Sequence, residues 1–529
     1  MSSLDKLGYF AKKGRVSRRE FMSQAAALGV TTALATSIWT SNAKAAPKKG
    51  GRLRVGVGHG STTDNWDPGT YTDAFMQSVG FGNLRNCLTE FGADDELIPE
   101  LCESWDSSDA ITWAFKLRKG VEFHNGKTLD TNDVIQSMNH HRGKDTKSAA
   151  KAMLSAVESI KADGDTVIFK LKSGNADFPV VVSDYHLSIG PGKKEGGVDW
   201  LDGIGTGGYL ATDFEPGVRA LQKRNPNYWK QNAAWFDEIE TLAMPDPNAR
   251  TNALTTGEID FMDRADIKTV HLLKRKKGVR VEETAATQHY TFPMFVDVPP
   301  YDNNHVRMAL KLSIDREALL QTILRGHGAV GNDHPISLAN RYHNKDLPQR
   351  KYDPEKAKWH LKQAGLSSLD IDFSAADAAF AGAVDAAVLY KEHAAKANIN
   401  VNVVREPNDG YWSNVWLKKP FVACFWSGRP TEDWMFSIAY AEDSSWNDTH
   451  YKDPRFNELL KMGRIELDDK KRRAIYYEMQ QLLSDEGGVI VPLFANFVDA
   501  MSEKLVHGKD TSAAWDLDGM KLGERWWFA

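Results

Sequence analysis

Leu101-Cys-Glu-Ser-Trp105 and Thr112-Trp-Ala-Phe-Lys-Leu117 lie in a stretch, residues 101–117, that reads as short strands. Directly downstream, Thr128-Leu-Asp-Thr-Asn-Asp133 reads as the start of a helix with polar capping residues. Strand and helix signals in such close succession decide the class, and the same mixture continues in both directions. Toward the N-terminus, residues 73–91 read as a helix. Before them Arg52-Leu-Arg-Val-Gly-Val-Gly58 alternates like a strand through Leu53, Val55 and Val57. Toward the C-terminus, residues 149–160 read as an amphipathic helix and Thr166-Val-Ile-Phe-Lys-Leu171 as a strand. Further helices are expected over Asn303–Leu324 and Asp353–Ala364, both opened by Asn or Asp. The class is α/β.

A chain of 529 residues exceeds what one hydrophobic core usually supports, so more than one lobe is expected. Residues 188–208 are rich in glycine and residues 293–304 in Pro, Asp and Asn, and each is a candidate crossing between lobes. No fixed-period repeat is present.

The first 45 residues read as an export signal rather than as part of the fold. A basic region containing Ser17-Arg18-Arg19-Glu20-Phe21, a twin-arginine pattern, precedes an uncharged segment from Phe21 to Ala43. Ala43-Lys44-Ala45 then offers a small-residue cleavage site before Ala46. A membrane anchor is the competing reading, but Ala25 to Ile38 is short and rich in Thr and Ser. No cysteine stands at the cleavage site to carry a lipid, which favours a soluble periplasmic protein. Removing residues 1–45 takes away seven Lys/Arg and two acids, leaving 59 basic and 69 acidic residues and a net charge of −10. A net acidic chain without a basic stripe gives no footprint for nucleic acid. Cys87, Cys102 and Cys424 read best as buried small hydrophobes, with a Cys87–Cys102 disulfide as the alternative in an oxidising compartment.

Motifs for catalysis or cofactors are weak. Gly203-Ile-Gly-Thr-Gly-Gly208 matches G-x-G-x-x-G, yet Tyr209 to Leu221 alternates like strands and contains Pro216, so the match reads as a turn. The histidines are scattered, and no zinc spacing or nucleophile elbow appears. The outstanding feature is aromatic: Trp412, Trp416, Trp426, Trp434 and Trp446 are five of the 16 tryptophans. The apolar run Phe421-Val-Ala-Cys-Phe425 reads as a buried strand. It leads into Trp426-Ser-Gly-Arg429-Pro-Thr-Glu432-Asp433-Trp434, a loop with charges between two indoles. The loop reads as a ligand-contacting rim, the alternative being core tryptophans with Arg429 paired locally to Glu432 or Asp433.

Several blocks, in order, resemble the family 5 extracellular solute-binding proteins of ABC transporters, the peptide, nickel and opine type. They are Leu97 to Trp105, Thr112 to Gly126, Leu129 to Val134, Gly205 to Tyr209 with Asn225-Pro-Asn-Tyr-Trp229, Asn248 to Asp260, Asn304 to Leu319, and Tyr352 to Ala357. The resemblance spans residues 48–505. It implies two lobes that close on a ligand about a hinge, plus an extra subdomain. The expected division is residues 46–80, 205–284 and 498–529 for a discontinuous N-terminal lobe, 81–204 for the subdomain, and 285–497 for the C-terminal lobe.

In peptide-binding members, the position three residues after a Trp like Trp426 is an aspartate that pairs with the peptide's ammonium group. Here that position holds Arg429, whose planar fork suits a carboxylate or phosphate. The ligand-binding residues expected are therefore Arg429, Trp426, Gly428, Glu432, Asp433, Trp434, Trp412 and Tyr411, with Tyr71, Thr72 and Asp73 on the opposing lobe. The implied function is capture of a small polar ligand carrying a carboxylate, an opine-like conjugate or a modified or short peptide, for delivery to an importer's membrane subunits. A monomer without cofactor, metal or enzymatic activity is expected. An exported enzyme acting on a small carboxylated substrate and a metal-chelate or haem carrier are the alternatives.

Overall fold

The structure is a computed structural model and describes Ser23, residues 47–408 and residues 410–529. The export signal and its cleavage site thus fall outside the described residues, Ser23 apart. Three sheets organise the described chain. The largest has seven strands in the order Val279–Thr284, Phe497–Ser502, Phe261–Met262, Arg52–Val57, Glu238–Ala243, Arg219–Arg224 and Tyr209–Glu215. Arg52–Val57 is central and pairs in parallel on both sides. Its alternation buries Leu53, Val55 and Val57 in a core with Phe75, Tyr209, Phe236 and Trp526. The sheet gathers strands from three separate stretches of chain.

A four-stranded antiparallel sheet, Cys102–Asp106, Thr112–Leu117, Thr166–Leu171 and Val157–Asp163, carries its own core around Phe115, Phe169 and Phe178. The helix Thr131–His140 packs on it behind a capping box made by Asp130 and Asp133. The expected helix at 149–160 is absent. After one short turn, Ala149–Lys151, the chain enters Val157–Asp163 and pairs with Thr166–Leu171, so cross-strand pairing overrides the local period. The helix expected at 73–91 ends at Leu84. Beyond it Arg85, buried, donates to the carbonyls of Trp66, Trp200 and Ile204, and Glu100 accepts the Cys87 N–H, which holds the backbone extended into the strand Thr89–Phe91. The glycine motif is a turn: Cβ atoms at Gly205 and Gly207 would lie 2.1 and 2.3 Å from the carbonyl oxygens of Leu84 and Asn83. Cys87, Cys102 and Cys424 are all buried free thiols.

The third sheet orders Gly328–Val330, Val489–Ala495, His289–Pro293 and Cys424–Trp426. A bridge between Ser374 and Val422 ties it to the parallel pair Leu369–Ala375 and Ile399–Arg405. The helix expected over 303–324 is two, Asn304–Leu312 and Arg316–Ile323, because Asp315 leaves helical geometry and caps the Ala318 N–H. Pro354–Gln363 follows the expected Asp353 cap.

The chain passes from the seven-stranded sheet to this one between Thr284 and His289, and returns between Ala495 and Phe497. The Pro-rich segment 293–304 is therefore a loop within the second unit, not a crossing. The pairing directions fix which ends face each other. Val279–Thr284 and Phe261–Met262 both run antiparallel to Phe497–Ser502, and Arg52–Val57 runs parallel to Phe261–Met262. His59 and Arg264 therefore lie at the crossing end of the large sheet. In the other unit His289 pairs with Trp426, so Ser427, Gly428 and Arg429 leave their strand at the crossing end too.

Candidate functional site

Arg429 is the centre of the candidate site. Its strand ends at Trp426, and Gly428 turns the chain with φ 78°. A Cβ at Gly428 would lie 2.2 Å from Thr287 Oγ1, so only glycine lets this loop rest against the crossing segment. The guanidinium of Arg429 donates to the Gly428 carbonyl at 2.5 Å and to Ser427 Oγ at 3.2 Å, and stands 5.8 Å from the centre of the Trp434 ring. Among the described residues it forms no ion pair with a carboxylate. Burial lowers its pKa, and the facing Tyr185 and Asp184 act in the opposite direction. These two residues belong to the unit that carries the four-stranded sheet, so the guanidinium lies within electrostatic reach of that unit.

The opposing wall is continuous. The Tyr185 ring lies 5.9 Å from Trp515. The next residue, Asp516, accepts from Arg264 at 2.7 Å, and Arg264 in turn reaches His59 at 3.2 Å. Burial lowers the His59 pKa, reinforced by Arg264 and opposed by Asp73. Tyr185, Trp515, Asp516, Arg264 and His59 were not legible as site residues. They are far apart in sequence, and none sits in a motif.

The residues expected at the site divide. Trp434, Gly428 and Trp426 accompany Arg429, although Trp426 is buried and packs 6.1 Å from both Trp416 and Trp446. Trp412 is 40% exposed and Trp446 44%, and with Trp416 and Trp426 they form one edge-to-face assembly. Asp448 accepts the Trp416 N–H at 3.1 Å beneath it, and burial raises its carboxyl to about 6.

Tyr411 is not a cleft residue: it is 1% exposed, and its hydroxyl donates to the Ala423 carbonyl at 2.7 Å. Tyr71 is likewise 1% exposed, taking a hydrogen bond from Arg85 at 2.9 Å, and burial pushes its pKa up to about 12. Thr72 beside it is exposed, and Asp73 caps the Met76 N–H at 3.1 Å.

Glu432 and Asp433 are also turned away from Arg429. Thr431 caps the helix Glu432–Ala439, and that geometry sends both first-turn acids inward. Glu432 accepts the Tyr342 N–H at 2.7 Å, and Asp433 pairs with Arg464 at 3.2 Å. Burial raises Glu432 to about 7 and Asp433 to about 6. Local pairing of Arg429 with either acid is thereby excluded.

Among the described residues, one group of carboxylates has the spacing to hold a metal ion: Glu90, Glu100 and Glu524, all buried. Lys230 already lies 2.6 Å from Glu90 and 2.8 Å from Glu524, and Lys521 2.9 Å from Glu100. Ammonium groups fill the place a cation would take.

Residues 96–448 match the model of the bacterial extracellular solute-binding proteins, family 5 Middle. The di/tripeptide-binding protein 2 of Pseudomonas aeruginosa is 25% identical over 465 residues, covering 80% of this chain and 86% of its own. HbpA2 of Haemophilus parasuis superposes with a TM-score of 0.78 at 21% identity, covering 88% of this chain and 98% of that one. AgaA from A. tumefaciens R10, in complex with agropinic acid, superposes with a TM-score of 0.70 at 20% identity, covering 90% and 99%. The fold is thus the two-lobed α/β fold of periplasmic binding proteins. No helix among the described residues is long and apolar enough to cross a membrane. With the family model covering two thirds of the chain, this protein belongs to the family 5 extracellular solute-binding proteins, the periplasmic or extracellular components that bring small molecules to ABC importers.

Proposed function

We propose that this protein captures a small polar ligand bearing a carboxylate, with Arg429 as the anchor for that group. The observation that carries the reading is a partly buried guanidinium at the crossing end of its sheet, within electrostatic reach of the other unit and in no ion pair with a carboxylate among the described residues. A charge held this way costs free energy until a counter-ion arrives, and a bidentate carboxylate suits its geometry. Trp434 backs the guanidinium, and Trp412 and Trp446 offer apolar cover for the rest of the ligand. The lobes are residues 46–80, 205–284 and 498–529 for one and 285–497 for the other, with 81–204 beside the first. Ligand bridging both shifts the population toward the closed form, which the importer's membrane subunits recognise. Micromolar affinity needs about −8 kcal/mol, within reach of a few charge-assisted hydrogen bonds and indole burial. The protein works as a monomer in the periplasm after twin-arginine export.

The relatives bracket the ligand chemistry: one is named for di- and tripeptides and another is bound to agropinic acid. The test is a thermal-shift panel on protein unfolded and refolded to strip bound ligand. It sets short peptides against their C-terminal amides, and agropinic acid against uncharged sugar conjugates. A ligand at about 100 times its Kd stabilises by about 2.7 kcal/mol. Shifts confined to compounds with a free carboxylate support the reading. Equal shifts for acids and amides contradict it.

A further inference from the structure

The unit that carries the four-stranded sheet also meets the C-terminal unit at the helix Asp469–Glu486. Asp177 follows the last strand of the four-stranded sheet and sits at the start of the helix Phe178–Val181. Its carboxylate meets Arg472 of the helix Asp469–Glu486 end on, Oδ1 to Nη1 at 2.7 Å and Oδ2 to Nη2 at 2.6 Å, while Nη2 also donates to the Tyr476 hydroxyl at 3.2 Å. The two side chains are 11% and 7% exposed. Next to them Ala176 donates its N–H to the Arg464 carbonyl at 2.7 Å, and a Cβ at Gly174 would lie 2.7 Å from Ile465. The flanking hydrophobic cores are separate clusters, one around Phe169 and Phe178 and the other around Tyr342, Phe436 and Tyr476. This contact is therefore a polar seam between two packed bodies.

Arg472 is prepared on its own side. Its Nε donates to the Gly463 carbonyl at 3.0 Å, and the guanidinium stands 5.4 Å from the Tyr476 ring and 5.8 Å from the Tyr342 ring. That leaves one edge of the fork for Asp177. The acids facing the seam from the C-terminal unit are Glu432 and Asp433, and the other base is Arg464. These carboxylates, which the sequence suggested for ligand contact, line this seam.

From this geometry we infer that Asp177 and Arg472 are positioning residues for capture: their ion pair holds the lobes in the closed arrangement, so that ligand retention depends on two side chains that do not face Arg429. Opening the lobes has to break the pair and rehydrate both groups. Keeping it intact favours the closed form without any contact to ligand, which lowers the work that ligand binding has to do.

Single-molecule energy transfer on the ligand-free protein tests this, with dyes on Lys161→Cys and Lys461→Cys, both exposed positions on the two bodies. The native cysteines are buried and stay unlabelled. The wild-type background is expected to show a high-transfer population. In Asp177→Lys and in Arg472→Glu the closed-to-open ratio should fall roughly tenfold or more. The double variant, which restores the pair with reversed signs, should recover it. Asp177→Asn, a milder change, serves if either charge reversal fails to fold by circular dichroism. Because the ratio is read without ligand, its outcome is independent of the proposed ligand anchor. Identical distributions in all backgrounds, a wild type without the high-transfer population, or a double variant no better than the singles would overturn it.

Discussion

Two groups of buried charge in this protein differ in one respect, and the difference separates structure from function. Glu90, Glu100 and Glu524 meet Lys230, Lys521 and Arg525 in the interior, three acids against three bases. The elements that bring them are far apart in sequence, so the cluster staples the C-terminal segment to the rest. Arg429 is partly buried too, but among the described residues no carboxylate pairs with it, and Asp184, the acid that acts on it from the other unit, is held by His186. An interior charge with its partners supplied holds a fold. One without them, at the crossing end of its sheet, is the group we propose takes its partner from the ligand.

The largest effect expected from breaking this contrast is on the compensated side. Lys521→Met leaves Glu100 short of a counter-ion and should cost about 3–5 kcal/mol of stability, read as a drop in Tm, with ligand affinity of the folded fraction unchanged.

Arg429→Met should do the reverse. Binding of a carboxylated ligand falls by about 2–5 kcal/mol, read by calorimetry, while the Tm without ligand holds or rises because an unpaired buried charge is gone.

Glu432 sharpens the contrast through pH. Its folded pKa, raised by burial to about 7, lies above the ordinary 4.5. Between those values the folded state holds a proton that the unfolded state has released, so this group's contribution to stability falls as pH rises through the window. Glu432→Gln keeps an acceptor for the Tyr342 N–H and removes that slope. The variant should gain on the order of 2–3 kcal/mol relative to wild type between pH 4.5 and pH 8, measured as the difference in Tm between the two.

A local effect is expected from Gly428→Ala. The left-handed backbone alone should cost about 1–2 kcal/mol, read as a drop in Tm, and Thr287→Ala should return little in a double-mutant cycle, because the Thr287 Cβ and carbonyl carbon, 2.5 and 2.6 Å from the new Cβ, stay in place.

The fold class was legible because its signals are local and redundant. The alternation of Leu53, Val55 and Val57 and the caps at Asp130, Asn303 and Asp353 each fix an element from a few residues. The missed elements are those whose conformation is decided at long range. Residues 157–163 become a strand because Thr166–Leu171 is there to pair with, and the helix from residue 74 stops where Arg85 finds distant carbonyls. At the site the same division holds. Arg429 and Gly428 stand out from strand, turn and charge in sequence. Glu432 and Asp433 do not reveal from sequence that a capped helix turns them inward toward Tyr342 and Arg464. Tyr411 and Tyr71 look like polar aromatics suited to a cleft, yet each spends its hydroxyl on a buried internal partner. Tyr185 and Arg264 come to the opposing wall only through the topology.

The most direct measurement is calorimetric titration of wild type and Arg429→Met with a matched pair, the carboxylate ligand that gives the largest thermal shift and its neutral amide. The account predicts that wild type prefers the acid by about 2 kcal/mol or more, and that Arg429→Met binds both equally weakly. An acid preference that survives in Arg429→Met, or a wild type indifferent to the change from acid to amide, would contradict it.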